Sequence, residues 1–178
     1  MSPVVETLNY YLALGTVLLQ IVCIGLVLLV VLRKTDMIGA FVARFGLLIA
    51  FLFAIASTAL TLLYSEVFGF EPCGLCWLQR VFLYPQVVLF GVALWKRDAH
   101  VALYSIWLSV LGAVIALYQH YIQMGGTEFI DCPVALGDCA KRILFEFGYV
   151  TFPLMSFTGF IFLILLMVVY RKHVNTRI

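Results

Sequence analysis

Five stretches, each of roughly 20 or more mostly apolar residues, follow one another along this chain. They are Leu8–Leu32, Ile38–Tyr64, Leu75–Trp95, Val101–Ile122 and Val150–Tyr170. A hydrocarbon core of about 30 Å takes about 20 helical residues at about 1.5 Å of rise each, so every stretch is long enough to span a bilayer. Strands of a membrane β-barrel would be shorter and would alternate in hydrophobicity, which these do not. A helix also satisfies its own backbone polar groups where no water is available. The chain has 178 residues, 65% of them hydrophobic and 11% charged. A water-soluble domain of that size cannot hide so much apolar surface. The net charge of +2 is too small to suggest a nucleic-acid partner. With no internal repeat, low-complexity segment or soluble domain, residues 1–178 read as one all-α integral membrane domain. No Lys or Arg precedes Arg33 and no small-residue cleavage site follows the first stretch, so it reads as a retained helix. Pro85 is expected to bend the third helix, because it lacks an amide donor.

The basic residues set an expected orientation. Arg33, Lys34 and Arg44 flank the first connection, Lys96 and Arg97 lie in the third, and Arg171, Lys172 and Arg177 lie in the tail. The opposite side has only Arg80, Lys141 and Arg142. This bias predicts an N-terminus outside, a C-terminus in the cytoplasm, and the second and fourth connections outside. Tyr10, Tyr11, Trp77, Trp95, Tyr104, Tyr149 and Tyr170 fall near the expected interfaces, where amphipathic rings are favoured. The outer connections cover 65–74 and 123–149. In the second, Ile143, Leu144, Phe145 and Phe147 follow two basic residues, which suits either a short surface helix or a loop with some buried side chains.

Four of the five cysteines lie in or at the edge of these two connections: Cys73 and, just past its end, Cys76 at the first, Cys132 and Cys139 in the second. An oxidising compartment lets disulfides persist. The Cys73-Gly74-Leu75-Cys76 spacing allows a tight, reactive disulfide. If Cys76 opens the third helix, its thiolate gains from the positive end of the helix dipole and from Arg80 one turn on. The plainer readings are an inert bridge at Cys73 and Cys76, a loop staple at Cys132 and Cys139, or a four-thiolate zinc site. No His lies in either outer connection, which weakens the metal reading, and no metal is expected. Cys23, inside the first helix, reads as a small buried hydrophobe.

Arg80 and His120 fall at similar depth beneath the thiol-bearing side. Each has an ordinary reading, Arg80 as a topological anchor and His120 as an interfacial polar residue. Next to a reactive cysteine pair, together they suggest a pocket for a quinone head group. Arg80 would bond a ring carbonyl, and His120 would donate a hydrogen bond or proton. Glu66, Glu71 and Glu128 are given no role.

Pro72-Cys73-Gly74-Leu75-Cys76-Trp77-Leu78-Gln79-Arg80 resembles the signature of the disulfide-bond formation protein B family, the quinone-reducing membrane thiol oxidases. The similarity runs from about Ile38 to the C-terminus and includes the order of the cysteine pairs and His120 in its Tyr-x-His setting. The short Cys132-to-Cys139 spacing, with Phe147-Gly148 and Thr151-Phe152-Pro153 after it, is similar to the Gram-positive branch. The resemblance implies a four-helix transmembrane bundle over 38–170, with the helix 8–32 additional to the family's four. It implies a bacterial cytoplasmic-membrane enzyme that takes electrons from an extracytoplasmic thioredoxin-fold dithiol oxidase and generates protein disulfides. Cys132 would form the mixed disulfide with that partner and Cys139 would exchange with Cys73. Cys76 would face the quinone, ubiquinone or menaquinone, with Arg80 and His120 at its head group. A monomer in contact with membrane lipid is expected. The close spacing of the second pair leaves open a different thiol pairing in the exchange. The related vitamin K epoxide reductases place their C-x-x-C downstream of the loop cysteines, the reverse of this order. They stay an alternative, as does a non-enzymatic membrane protein with structural disulfides or a thiolate metal site.

Overall fold

The computed structural model describes residues 3–32, 34, 36–127 and 138–175. Its long elements are helices: α1 (Pro3–Val31), α2 (Asp36–Leu62), α3 (Gly74–Lys96), α4 (Val101–Gln123) and α5 (Phe152–Asn175). A π-helical turn, Leu63–Val67, prolongs α2. All five are long and apolar enough to cross a membrane, so the chain is an all-α, multi-pass membrane protein, as expected.

The ends differ from the expected ones in informative ways. α1 begins at Pro3, a residue tolerated in a first turn because its missing amide would have no helical partner there. Its 29 residues extend about 43 Å, more than the hydrocarbon core requires. α3 begins at Gly74, with Cys73 as its N-cap, so Cys76 lies within the first turn and does not open the helix. α5 begins at Phe152, because Thr151 caps it by accepting the Leu154 amide at 3.3 Å. α3 passes through Pro85 without interruption. The residue after that proline, Gln86, is fully buried. Its amide donates to Phe82 O at 2.9 Å and to Ser109 Oγ at 3.2 Å, and accepts from Ser105 Oγ at 2.7 Å. A polar side chain in this setting is tolerable only with its donors and acceptor engaged.

Helices α2 to α5 enclose one apolar core that includes Ala50, Phe90, Leu163 and Met167. α4 and α5 approach closely at Gly112, where a Cβ would stand 2.4 Å from the Phe160 ring. Close approach over a small residue is a common way for membrane helices to gain dispersion contacts. α1 packs along α5 and leaves Leu18, Ile21, Ile24 and Leu28 exposed, a face suited to lipid. The N-terminus of α1, the α2–α3 connection and the α4–α5 connection meet at one end of the bundle. Tyr64 ties them together: its hydroxyl donates to Asn9 Oδ1 at 2.5 Å and its ring lies 4.7 Å from that of Phe152. This is the thiol end of the molecule.

Candidate active site at the thiol end

The approach to the first cysteine pair is shaped by the turn after α2. Phe68 and Phe70 donate their amides back to Leu63 O and Tyr64 O at 3.1 and 3.0 Å. Gly69 between them has φ of 69°, a left-handed conformation that favours glycine. The rings of Phe68 and Phe70 then flank Tyr64, with centroids 5.4 and 6.0 Å away. From there the chain runs to Cys73 in an extended conformation and enters α3.

At that helix start the two sulfurs are 2.9 Å apart and unbonded. A covalent bond would bring them to about 2.05 Å. Cys73 is buried, and its Sγ accepts the Cys76 amide at 3.4 Å. The orphan amide of a first helical turn is thereby satisfied by a sulfur. The Cys73 thiol is held well above the ordinary range, first by its hydrogen bond with Cys76 and then by burial.

The polar group that holds this pair comes from α4. Gln119, almost fully buried, donates from Nε2 to Cys73 Sγ at 3.1 Å and to Cys76 Sγ at 3.2 Å. Its Oε1 accepts from Gln79 Nε2 at 2.6 Å, so Gln79 on α3 fixes which end of the Gln119 amide faces the sulfurs. Sequence reasoning missed both glutamines. The available signal was their cost: Gln79 and Gln119 are uncharged polar residues inside apolar spans, immediately before Arg80 and His120, and such residues need partners.

Arg80 lies one helical turn beyond Cys76. Its guanidinium is buried, donates from Nη2 to Thr61 O at 3.0 Å, and sits 5.1 Å from the Trp77 ring centroid. No carboxylate pairs with it among the described residues. Thr61 in turn bonds the Tyr84 hydroxyl at 2.9 Å. His120 follows Gln119 but has a different partner, Thr151, with Nδ1 and Oγ1 2.8 Å apart. Thr151 Oγ1 also accepts the Leu154 amide, so one hydroxyl links the His120 ring to the start of α5. His120 Nε2 makes no hydrogen bond among the described residues. The Arg80 guanidinium, with one acceptor among the described residues, has donors left for a carbonyl oxygen.

The second cysteine segment is built differently. Cys139 is buried and disulfide-bonded; Cys132 lies outside the described residues. Residues 138–151 contain no helix, so the loop reading of Ile143–Phe147 holds and the surface helix does not. The backbone folds back through Phe147 and Gly148, with φ of 54° and 77°, and Glu146 bridges to Val150. A left-handed pair of this kind ends any continuing right-handed helix. Gln123, at the end of α4, carries the segment. Its Nε2 donates to Cys139 O at 3.4 Å and Lys141 O at 3.0 Å, and its carbonyl accepts from Arg142 Nε at 2.5 Å. The structure therefore brings together Cys73, Cys76, Gln79, Gln119 and, one turn on, Arg80. His120 and Cys139 sit on adjoining elements with their own partners.

The family profile described as Disulfide bond formation protein DsbB matches residues 43–170. The SPbeta prophage-derived disulfide bond formation protein B of Bacillus subtilis is 39% identical over 116 residues, which is 65% of this chain and 78% of that protein. A probable disulfide formation protein C of Halalkalibacterium halodurans is 40% identical over 125 residues, covering 65% of this chain and 90% of that protein. A probable disulfide formation protein of Chlamydia pneumoniae is 32% identical over 134 residues, covering 75% and 96%. No solved structure matches significantly. The matched residues contain both cysteine pairs, Arg80 and His120, and the bacillar relatives agree with the Gram-positive resemblance. On this evidence the chain belongs to the DsbB family and is a membrane thiol oxidoreductase of disulfide bond formation.

Proposed function

We propose that this protein reoxidises an extracytoplasmic thioredoxin-fold dithiol and passes the electrons by way of Cys132–Cys139 and Cys73–Cys76 to a membrane quinone. The thiol end faces outward in this reading and the C-terminus is cytoplasmic. The observation that carries it is the pair of sulfurs at the start of α3, 2.9 Å apart and both bonded by Gln119. An inert staple needs no such polar support.

Disulfide exchange proceeds by thiolate attack on one sulfur and departure of the other. A partner thiolate attacks Cys132, Cys139 departs, and the partner's second thiol closes its own disulfide. Cys139 then attacks Cys73 and Cys76 departs. Cys132 resolves the mixed disulfide and frees Cys73. One S–S bond breaks for each that forms, and two electrons have moved to the first pair. Gln119 Nε2 meets the charge on the departing Cys76 sulfur, a contact seen with the two sulfurs unbonded. A bound quinone supplies a two-electron, two-proton acceptor. Arg80 and His120 would hold its oxygens. Trp77 beside Arg80 offers an aromatic face, and the apolar helix surfaces exclude water.

The test is quinone reduction by purified protein in detergent, driven by a reduced thioredoxin-fold protein. Wild-type protein should turn over, Cys76→Ser should abolish turnover, and Arg80→Ala should need at least about tenfold more quinone, as expected when a charge-assisted hydrogen bond is lost. No turnover with either ubiquinone or menaquinone, with the disulfides intact, would sink this reading in favour of structural disulfides.

A further inference from the structure

α1 lies outside the residues that match the family profile, yet it reaches both cysteine-bearing connections. Toward the first, buried Asn9 accepts the Tyr64 hydroxyl, and the Tyr64 ring packs on Phe70 on the way to Cys73. Toward the second, Ala13 is fully buried in a cluster with Leu144 and Val150, joined by Val17. The Tyr10 ring lies 5.8 Å from that of Phe147, at the left-handed turn of the segment. Deeper, Gln20 Oε1 accepts the Tyr149 hydroxyl at 3.0 Å, and Gln20 Nε2 donates to Thr158 of α5 at 3.4 Å. Asn9, Tyr10 and Gln20, on an otherwise apolar helix, thus make their contacts at this end of the bundle. A membrane anchor alone would need none of them, since uncompensated polar groups are costly in lipid.

We propose that α1 is a clasp that holds the Cys139-bearing segment in register with the Cys73–Cys76 pair and so sets the rate of exchange between the two pairs. The proposal rests on the relay described above. In that step one S–S bond replaces another and two electrons move from the second pair to the first, so no outside oxidant is required. Asn9, Ala13 and Gln20 touch no reacting sulfur; they are positioning residues. Exchange demands that attacking, central and leaving sulfurs align, and small displacements of a reacting pair have large effects on rate.

Two full-length variants test this without relying on deletion of the helix. Ala13→Phe wedges α1 away from Leu144 and Val150. The double variant Asn9→Leu with Tyr64→Phe replaces the polar link by an apolar one and leaves no orphaned hydroxyl. Quinone reduction is followed twice, with a reduced thioredoxin-fold protein and with dithiothreitol, which reaches Cys73–Cys76 directly. In both variants kcat with the protein dithiol should fall at least about tenfold, toward the roughly hundredfold cost of a displacement of about 1 Å, with its KM unchanged. The dithiothreitol-driven rate should stay at the wild-type level. Variants that match wild type with the protein dithiol would overturn the clasp. A parallel fall with dithiothreitol would also overturn it, making α1 a general stabiliser. Wild-type protein without partner-driven turnover would sink the relay itself, a result distinct from either of these.

Discussion

In the proposed relay the two cysteine-bearing connections do related chemistry on different mechanical platforms. Cys73 and Cys76 are built into the first turn of α3, so the helix backbone itself sets their spacing, and one glutamine from α4 touches both sulfurs. Cys139 sits in a segment without helix, held by Gln123 and the flank of α1. A pair that exchanges electrons with a small buried acceptor benefits from fixed geometry. A pair that must meet both a protein partner and the first pair benefits from a mount whose position depends on a few replaceable contacts. Damage to the first platform should therefore affect all substrates alike. Damage to the second should be selective.

The largest effect short of removing a cysteine is expected at Gln119. Gln119→Leu takes away both donors to the sulfurs, and the rate of quinone reduction should fall about a hundredfold with protein and small dithiols alike, comparable to loss of a preorganised donor. Gln79→Leu alone should act through Gln119, so the double variant should be little worse than Gln119→Leu; a double-mutant cycle of turnover rates checks this. Additive losses would mean that Gln79 does not orient Gln119.

A smaller and selective effect is expected at Gln123. Gln123→Leu releases the Cys139 and Lys141 carbonyls, which costs about 1 kcal/mol per hydrogen bond. Partner-driven turnover should drop by up to about thirtyfold, the factor that two such bonds amount to, while turnover with dithiothreitol holds. Hydrogen exchange of residues 138–150 should quicken in the same variant. An equal loss with both dithiols would erase the contrast between the platforms.

The mildest effect is on stability against pH. Folded, reduced protein binds the Cys73 proton more tightly than the unfolded chain does, because the thiol is raised by its Cys76 hydrogen bond and by burial. The stability this gives is complete below the unfolded thiol value of about 8.5 and is lost as pH rises above it. Thermal melts of reduced protein should therefore decline from about pH 8.5 upward, and melts of protein with Cys73 and Cys76 oxidised should lack that component, having no thiol there to titrate. Identical profiles would place Cys73 in an unperturbed setting.

Much of this arrangement is legible in the residues. Apolar length alone locates five spanning helices, because lipid accepts little else. The Cys73–Cys76 pair and Arg80 stand out from spacing and charge. Helix ends are less so. Whether Cys73 or Cys76 starts α3 depends on a sulfur accepting an amide, which no composition pattern encodes. The role of Gln119 depends on which face of α4 meets α3, and a glutamine looks alike in sequence whether it packs on sulfur or on lipid. Residues 143–147 carry apolar side chains suited to a helix or a loop, and the choice is made by Phe147 and Gly148 in left-handed conformations. The tie between α1 and the thiol end is long-range, joining Asn9 to Tyr64 and Gln20 to Tyr149, and no local signal announces it.

The order of the two pairs is the centre of the account, and Cys139→Ser tests it most directly. Quinone reduction by this variant would be measured with a reduced thioredoxin-fold protein and with dithiothreitol, beside Cys76→Ser. The account predicts that Cys139→Ser loses turnover with the protein dithiol and keeps it with dithiothreitol, and that Cys76→Ser loses both. Partner-driven turnover that persists in Cys139→Ser would show that electrons enter at Cys73–Cys76 without passing through the second pair, and would contradict the relay.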